Sequence, residues 1–403
     1  MVRQAHHEVN PLKRRRLILS LSKDEARNSC LLSSQPAPPA AAAKLRTACG
    51  RLSRAERWNI RTQTEGFMSI RMRFLASVFL LLAGFLSVLP AAMAAEPTTL
   101  HFGHIGGPGS LYWISAQEFA QRVDKLSRGT IRIALHPNSE LGSDSAVAKK
   151  LLTGEADLSI LATPMSSIAS EFGVFEMPFL VRNRAHVRRF RDAVMQSYLK
   201  PAAEQKGYRV LAMWELGFRH IMNNKRAIES PGSLAGLKLR VPQGEWRIKM
   251  FRAYGVEPVP MEFKDIVPGI EAGKIDGLET PLDLIYGAHI ERVQKYLTLS
   301  YHVYSAGFLV MGRDRYQQLP ISVRAVIDKA AAEMQDWVLQ KGDELDAELV
   351  GKMKPFVAVN EADRLAFTIQ SVPIYSEYTK LPAHRALVKL IFEADASPFA
   401  TAP

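Results

Sequence analysis

Cysteine is nearly absent from this chain. Its 403 residues include two, Cys30 and Cys49. Residues 95–403 have none, which excludes a disulfide framework, cysteine-ligated zinc and thiol nucleophiles from the main body. The eight histidines of that body form no H-E-x-x-H or comparable metal pair, and no G-x-S-x-G elbow occurs. Excess charge is also missing once the N-terminal stretch is set aside. The formal net charge is +12, but residues 1–94 hold 15 of the 52 Lys and Arg and 5 of the 40 Asp and Glu. The other 37 basic and 35 acidic residues leave +2, so the pI near 9.6 belongs to the N-terminal stretch. No nucleic-acid surface follows from it.

What is present begins with an export signal placed inside the chain. Met68 to Arg73 is a short positive region. Phe74 to Leu89 is an apolar run of about sixteen residues, too short and wrongly flanked for a membrane span. Ala92-Met93-Ala94 is an A-x-A cleavage site, so the mature protein is expected to start at Ala95. No cysteine follows to carry a lipid anchor. Residues 1–67 are basic and lack sustained periodicity. They read as a leader or as an early start codon, and take no part in fold reasoning.

From residue 100 onward, strand and helix signals alternate as in a parallel α/β sheet. Strands are expected at Leu100–Ile105, Thr130–Leu135, Ala156–Leu161, Tyr208–Trp214, Leu237–Val241, Ile275–Leu278, Tyr301–Met311 and Phe356–Val359. Between them fall helices near 111–127, 144–153, 184–206, 244–254, 263–273, 281–288 and 292–297. From Ser322 to about Met353, apolar residues recur every three or four positions, the mark of one long half-buried helix. Further short helices are expected to 392, and the tail from Ala394 should fray.

The chemistry concentrates between Gly217 and Pro281. Arg219 and Arg240 sit in predicted strands among apolar neighbours. A buried guanidinium is costly unless an anion pairs with it, and its planar fork matches a carboxylate. Either arginine alone reads best as a surface ion pair. Together, with the Asp276–Pro281 turn that presents Thr280, they point to a site for a small organic acid. Glu279 is a candidate only through its neighbours, and an ion pair is its plainer reading. Trp246, one turn after the Arg240 strand, and Phe263, opening a helix, have the best claims among the aromatics to line a cleft. Gly103, Gly106, Gly107 and Gly109 precede a helix like a phosphate loop. No lysine–serine pair follows, so a turn at a cleft mouth is the better reading.

These motifs, in order, resemble those of the solute receptors of TRAP transporters, the tripartite ATP-independent periplasmic type, in the dicarboxylate/sialic-acid receptor family. The resemblance covers residues 99 to about 392. It rests on His136-Pro-Asn-Ser-Glu-Leu-Gly142, Val174-Phe-Glu-Met-Pro-Phe179, Gly217-Phe-Arg219, Gly236-Leu-Lys-Leu-Arg-Val-Pro242, Gly255 to Met261 and Gly277-Leu-Glu-Thr-Pro281. It implies an α/β, two-lobed periplasmic binding fold (type II-like), with crossing hinge segments and a long bracing helix. Lobe I would hold 95–217 and about 306–345, lobe II 218–305 and about 346–380, and 381–403 a C-terminal helix and tail.

By the same resemblance, Arg240 forms the main salt bridge to a ligand carboxylate and Arg219 a second contact. Gln243 and Phe263 match pocket positions, and Asp144 and Thr163 fall on first-lobe segments lining the cleft. Thr280 stands where the family carries asparagine, and threonine cannot replace both functions of an amide. The implied protein is a monomeric periplasmic receptor that hands a small organic acid to TRAP permease subunits and uses no cofactor. The alternatives are a receptor serving a signalling partner, or a secreted enzyme acting on an organic acid. The residues offer no nucleophile or metal set for the latter.

Overall fold

A computed structural model describes residues 97–395. The leader, the signal segment, the cleavage site and the end of the tail lie outside the described residues. Among the described residues no helix is long and apolar enough to cross a membrane.

Ten strands form one continuous path through two lobes. In chain order they are β1 (Thr98–Gly103), β2 (Ile131–His136), β3 (Leu158–Leu161), β4 (Tyr208–Asn223), β5 (Lys238–Val241), β6 (Glu257–Pro260), β7 (Gly277–Pro281), β8 (Tyr296–Leu299), β9 (Tyr304–Gly312) and β10 (Ala358–Glu361). Their order is β2-β1-β3-β9-β4-β7-β5-β6, with β8 pairing β4 and β10 pairing β8. The expected parallel pairs are there: β1 with β2 and β3, and β5 with β6 and β7. The strands that cross between lobes run antiparallel instead. β9 pairs β3 and the first part of β4, while the end of β4 pairs β7 and β8.

β4 therefore belongs to both lobes. It continues nine residues past the expected Trp214 and is almost wholly buried. Its register against β9 shifts between Glu215 and Gly217, and Gly217 has φ +94°, a left-handed conformation that a side chain would strain. The turn into the second lobe is built at that glycine.

Five helices matter for the site: α1 (Leu111–Ser127), α2 (Asp144–Thr153), α3 (Glu245–Ala253), α4 (Leu282–Gly287) and α5 (Ile321–Met353). α1 starts where Ser110 accepts the N–H of Trp113, and it buries Phe119 and Val123 as its period requires. The expected helix at 292–297 is replaced by a short 3₁₀ turn, Ile290–Arg292, followed by β8. Tyr296 to Leu299 is β-rich and pairs on both sides, and that long-range pairing overrides local helix propensity.

α5 supplies the brace. Its inward residues Val323, Ile327, Ala330, Ala331, Met334 and Val338 are buried with the α1 and β1 side chains of one core. Leu349 and Met353 are buried with β7 and β8 in another. Trp214 joins β4 to this helix: its indole N–H donates to Ala331 O at 3.1 Å, and its ring meets Phe119 edge-on at 5.6 Å. Replacing Trp214 by alanine should cost about 3–5 kcal/mol of stability. Urea unfolding measures it, and a loss below about 1 kcal/mol would show that this joint is dispensable.

Candidate functional site

An open cavity lies where the ends of β5 and β7 face the starts of α1 and α2. Arg240, Arg219, Thr280, Gln243, Phe263, Asp144 and Thr163 all line it, as do Tyr112, Ser139, Glu262 and Lys264.

The electrostatics begin behind the wall. Glu279, in β7, is wholly buried. Arg219 grips it twice, Nε to Oε2 at 2.5 Å and Nη2 to Oε1 at 2.8 Å, and also donates to its backbone carbonyl and to Ser305. Arg247 Nη1 donates to Glu279 Oε2 at 2.8 Å. His302 Nε2 lies 3.0 Å from the same oxygen. Burial alone would raise Glu279. Arg219, Arg247 and the His302 bond outweigh it and hold the carboxyl well below the usual range. Burial pushes His302 down to about 4, so the ring is neutral at physiological pH. A carboxylate only accepts, so Nε2 carries the proton and Nδ1 accepts from the Ser300 hydroxyl, 2.8 Å away.

Arg240 is different. It is as buried as Arg219, with 5% of its surface exposed. Its Nε donates to Met261 O at 2.8 Å, but among the described residues no carboxylate comes within 4.0 Å of its guanidinium. Burial lowers it to about 10 and Arg219 adds to this, while Glu279, Glu262 and Asp144 pull it back. It stays charged at neutral pH. The site thus keeps one buried cation with donors to spare, on the cavity wall. An anion placed there removes the cost of leaving it unpaired.

Opposite stands Asp144, at the start of α2 and half-buried. Burial raises it to about 7, Glu262 adds to the rise, and Arg240 opposes it. Its Oδ1 has no partner among the described residues. Glu262 accepts from Gln243 Nε2 at 3.2 Å. The wall facing Arg240 is therefore rich in acceptors and hydroxyls.

Two expected residues do not reach the cavity. Trp246 turns away from it, stacking edge-on against Tyr378 at 5.0 Å with Lys249 over its ring at 4.7 Å. It is the second residue of α3, on the face packed against Tyr378 of the C-terminal region. Glu279 lies one layer behind, its carboxylate fully used. Arg247 and His302 escaped sequence reading because no local pattern links them to Glu279, 32 and 23 residues away. Ser139 read only as a turn residue. Its φ of +60° belongs to that turn, which also delivers it to the cavity.

The fold and this cavity define a two-lobed solute receptor. A family model for bacterial extracellular solute-binding proteins, family 7, matches residues 102–381, and the chain belongs to that family of TRAP solute receptors. It is 27% identical over 292 residues to the 2,3-diketo-L-gulonate-binding periplasmic protein YiaO of Escherichia coli (strain K12), covering 72% of this chain and 88% of that one. Among solved structures it resembles the sugar acid binding protein DctPAm of Advenella mimigardefordensis strain DPN7T in complex with galactonate. The TM-score is 0.71 and the identity 28%, over 74% of this chain and 99% of that one. It also resembles a TRAP solute-binding protein of Polaromonas sp. JS666 bound to D-erythronate, with TM-score 0.70 and 26% identity, over 73% and 98% of the two chains.

Arg240→Ala should weaken ligand binding by roughly 30-fold or more, since losing one side of a buried charge pair costs about 2–5 kcal/mol. Arg219→Ala should weaken binding less but strip Glu279 of its main partner, at about 3–5 kcal/mol of stability. Calorimetric titration and denaturant unfolding of both variants test this. Near-wild-type affinity in Arg240→Ala would remove it as the clamp.

Proposed function

We propose that this protein captures a small hydroxylated monocarboxylate between its lobes and delivers it to a TRAP permease. The observation that carries the reading is Arg240, a buried cation without a carboxylate partner among the described residues, on the wall of the cavity between β5, β7, α1 and α2. The ligand carboxylate takes both free Nη groups of Arg240, with the Thr280 side of β7 beside it. Arg219 stays committed to Glu279, so the site offers one positive charge in contact with the ligand rather than two.

Asp144, Glu262, Ser139 and Gln243 then meet the rest of the ligand. Two acidic side chains there favour hydroxyl donors over a second carboxylate, since an unmatched like charge is repelled. Lys264, exposed at the rim, balances Glu262 in part. The ligands of the three similar proteins support this class: galactonate, D-erythronate and 2,3-diketo-L-gulonate are all hydroxylated monocarboxylates.

The same reading assigns 95–217 with about 306–345 to lobe I, 218–305 with about 346–380 to lobe II, and 381–403 to a C-terminal extension. The change of β4 partners near Gly217 and the two cores along α5 support that division. The receptor acts as a monomer in the periplasm, with no catalytic turnover and no nucleic-acid partner.

In a thermal-shift screen, galactonate or erythronate should raise the melting temperature and succinate should not. A ligand at 100 times its dissociation constant adds about 2.7 kcal/mol. A larger shift with succinate than with any hydroxy monocarboxylate would overturn the ligand class. Cleavage after Ala94 is read by the intact mass of the exported protein, expected to start at Ala95; a mass that retains residues 68–94 would contradict it.

A further inference from the structure

Two helices beside the cavity lack something their own sequence would normally supply. α3 begins at Glu245, after Gly244, which has no side chain to cap the first turn. α1 has its Ser110 cap but no acidic residue in its first turn. Free N–H groups at a helix start favour an acceptor, preferably a negative one. In both cases the acceptor comes from the other side of the cleft.

Glu176, at the end of the first-lobe 3₁₀ segment Ser170–Glu176, accepts the N–H of Arg247 in α3 at 3.1 Å through Oε2. Asp283, in second-lobe α4, accepts the N–H of Leu111 in α1 at 2.7 Å through Oδ2. Glu176 is 3% exposed and Asp283 5%. The exchange is reciprocal: each lobe lends a carboxylate to a helix start of the other. The glycine at 244 belongs to the same arrangement. A Cβ there would sit 2.5 Å from Glu176 Oε2 and 2.5 Å from Thr163 Cγ2, so only glycine lets the two lobes meet at this point.

We propose that Glu176 and Asp283 are positioning residues that latch the closed receptor by capping helices across the cleft, with Gly244 as the gap into which the Glu176 latch fits. Neither carboxylate lines the cavity that holds Arg240, so the latch acts on closure rather than on the ligand. When the lobes part, α3 and α1 lose these acceptors to water. When they close around a ligand, the caps re-form and the carboxylates are buried again.

That burial makes closure sensitive to pH. Burial raises Asp283 to about 7 from 3.8; nearby Asp346 adds to this, the N–H groups of Leu111, Leu284 and Asp283 itself oppose it, and Tyr112 also faces the group. Burial raises Glu176 as well, with Glu279 adding to the rise and Arg247, Ser166 and the Arg247 N–H opposing it; Tyr378 also faces it. An acid whose closed-state value lies above its open-state value takes up a proton on closing. For Asp283 closure is therefore favoured at low pH, loses ground as pH rises from about 4 to about 7, and levels off above that.

The inference rests on the lobe division proposed above. Its test exploits the absence of cysteine from residues 95–403. Spin labels on the mature protein at Lys125→Cys and Lys274→Cys, exposed and one on each lobe, report the interlobe distance by double electron–electron resonance. Distributions are recorded without ligand and with D-galactonate, D-erythronate or succinate in turn. Glu176→Ala and Asp283→Ala should each move population to the longer distance and weaken any probe that binds by about fivefold to tenfold, the range expected for a lost helix cap. Gly244→Ala should do the same by wedging. Glu176→Gln and Asp283→Asn keep a neutral acceptor and should restore the short distance; Asp283→Asn should also flatten the pH profile between about 4 and 7 relative to the parent. If no probe shortens the distance in the parent, the proposed ligand class fails, and the latch is judged on the short-distance fraction of the ligand-free protein, the conformation in which both caps are made. Alanine variants that keep the parent's short-distance fraction overturn the latch in either case, as does a parent with no short-distance fraction under any condition.

Discussion

One buried carboxylate decides the character of this site. Glu279 holds two guanidinium groups and a neutral imidazole in a buried space. Without it, Arg219 and Arg247 would face each other and Arg240 in a buried cluster of like charge, and β4, β7 and α3 could not pack there. With it, two of the three arginines have a carboxylate partner inside the protein. Arg240 has none among the described residues, and it lines the cavity.

The same chain segments that carry this network would also carry the proposed closure. Arg219 lies two residues beyond the Gly217 bulge, on the strand shared by both lobes, and Arg240 lies on β5 within the second lobe. Asp144 and Thr163 approach from the first lobe. In the proposed reading the ligand completes its contacts only when the halves meet, and the cap exchange at α1 and α3 lies close to the same surface. Capture and closure thus share their geometry without sharing their residues.

Much of this was legible in the chain. The alternating strand and helix signals, the long periodic helix and the two strand arginines were visible because each depends on neighbours within a few residues. The parts that were not visible depend on distant ones. β8 became a strand because β4 and β10 flank it. Trp246 seemed a cleft residue by its proximity to Arg240 in sequence, yet the helix phase sent it to Tyr378. Arg247 and His302 form the Glu279 network from separate elements, with no spacing to announce them. Gly244 read as the start of a helix, whereas its requirement comes from Glu176, sixty-eight positions earlier.

The layering behind Arg240 has a further consequence for how such a receptor can change over generations. The inner layer, Glu279 with its partners, is buried and tightly paired, so a substitution there leaves a buried charge stranded and threatens the fold. The outer layer, Asp144, Ser139, Gln243, Glu262 and Thr280, borders open space, and a substitution there unsettles no buried ion pair. On the proposed function, grip on a carboxylate and choice among carboxylates fall to different residues with different tolerances. A lineage can therefore exchange one acid for another by a few outer changes, with the inner layer inherited intact.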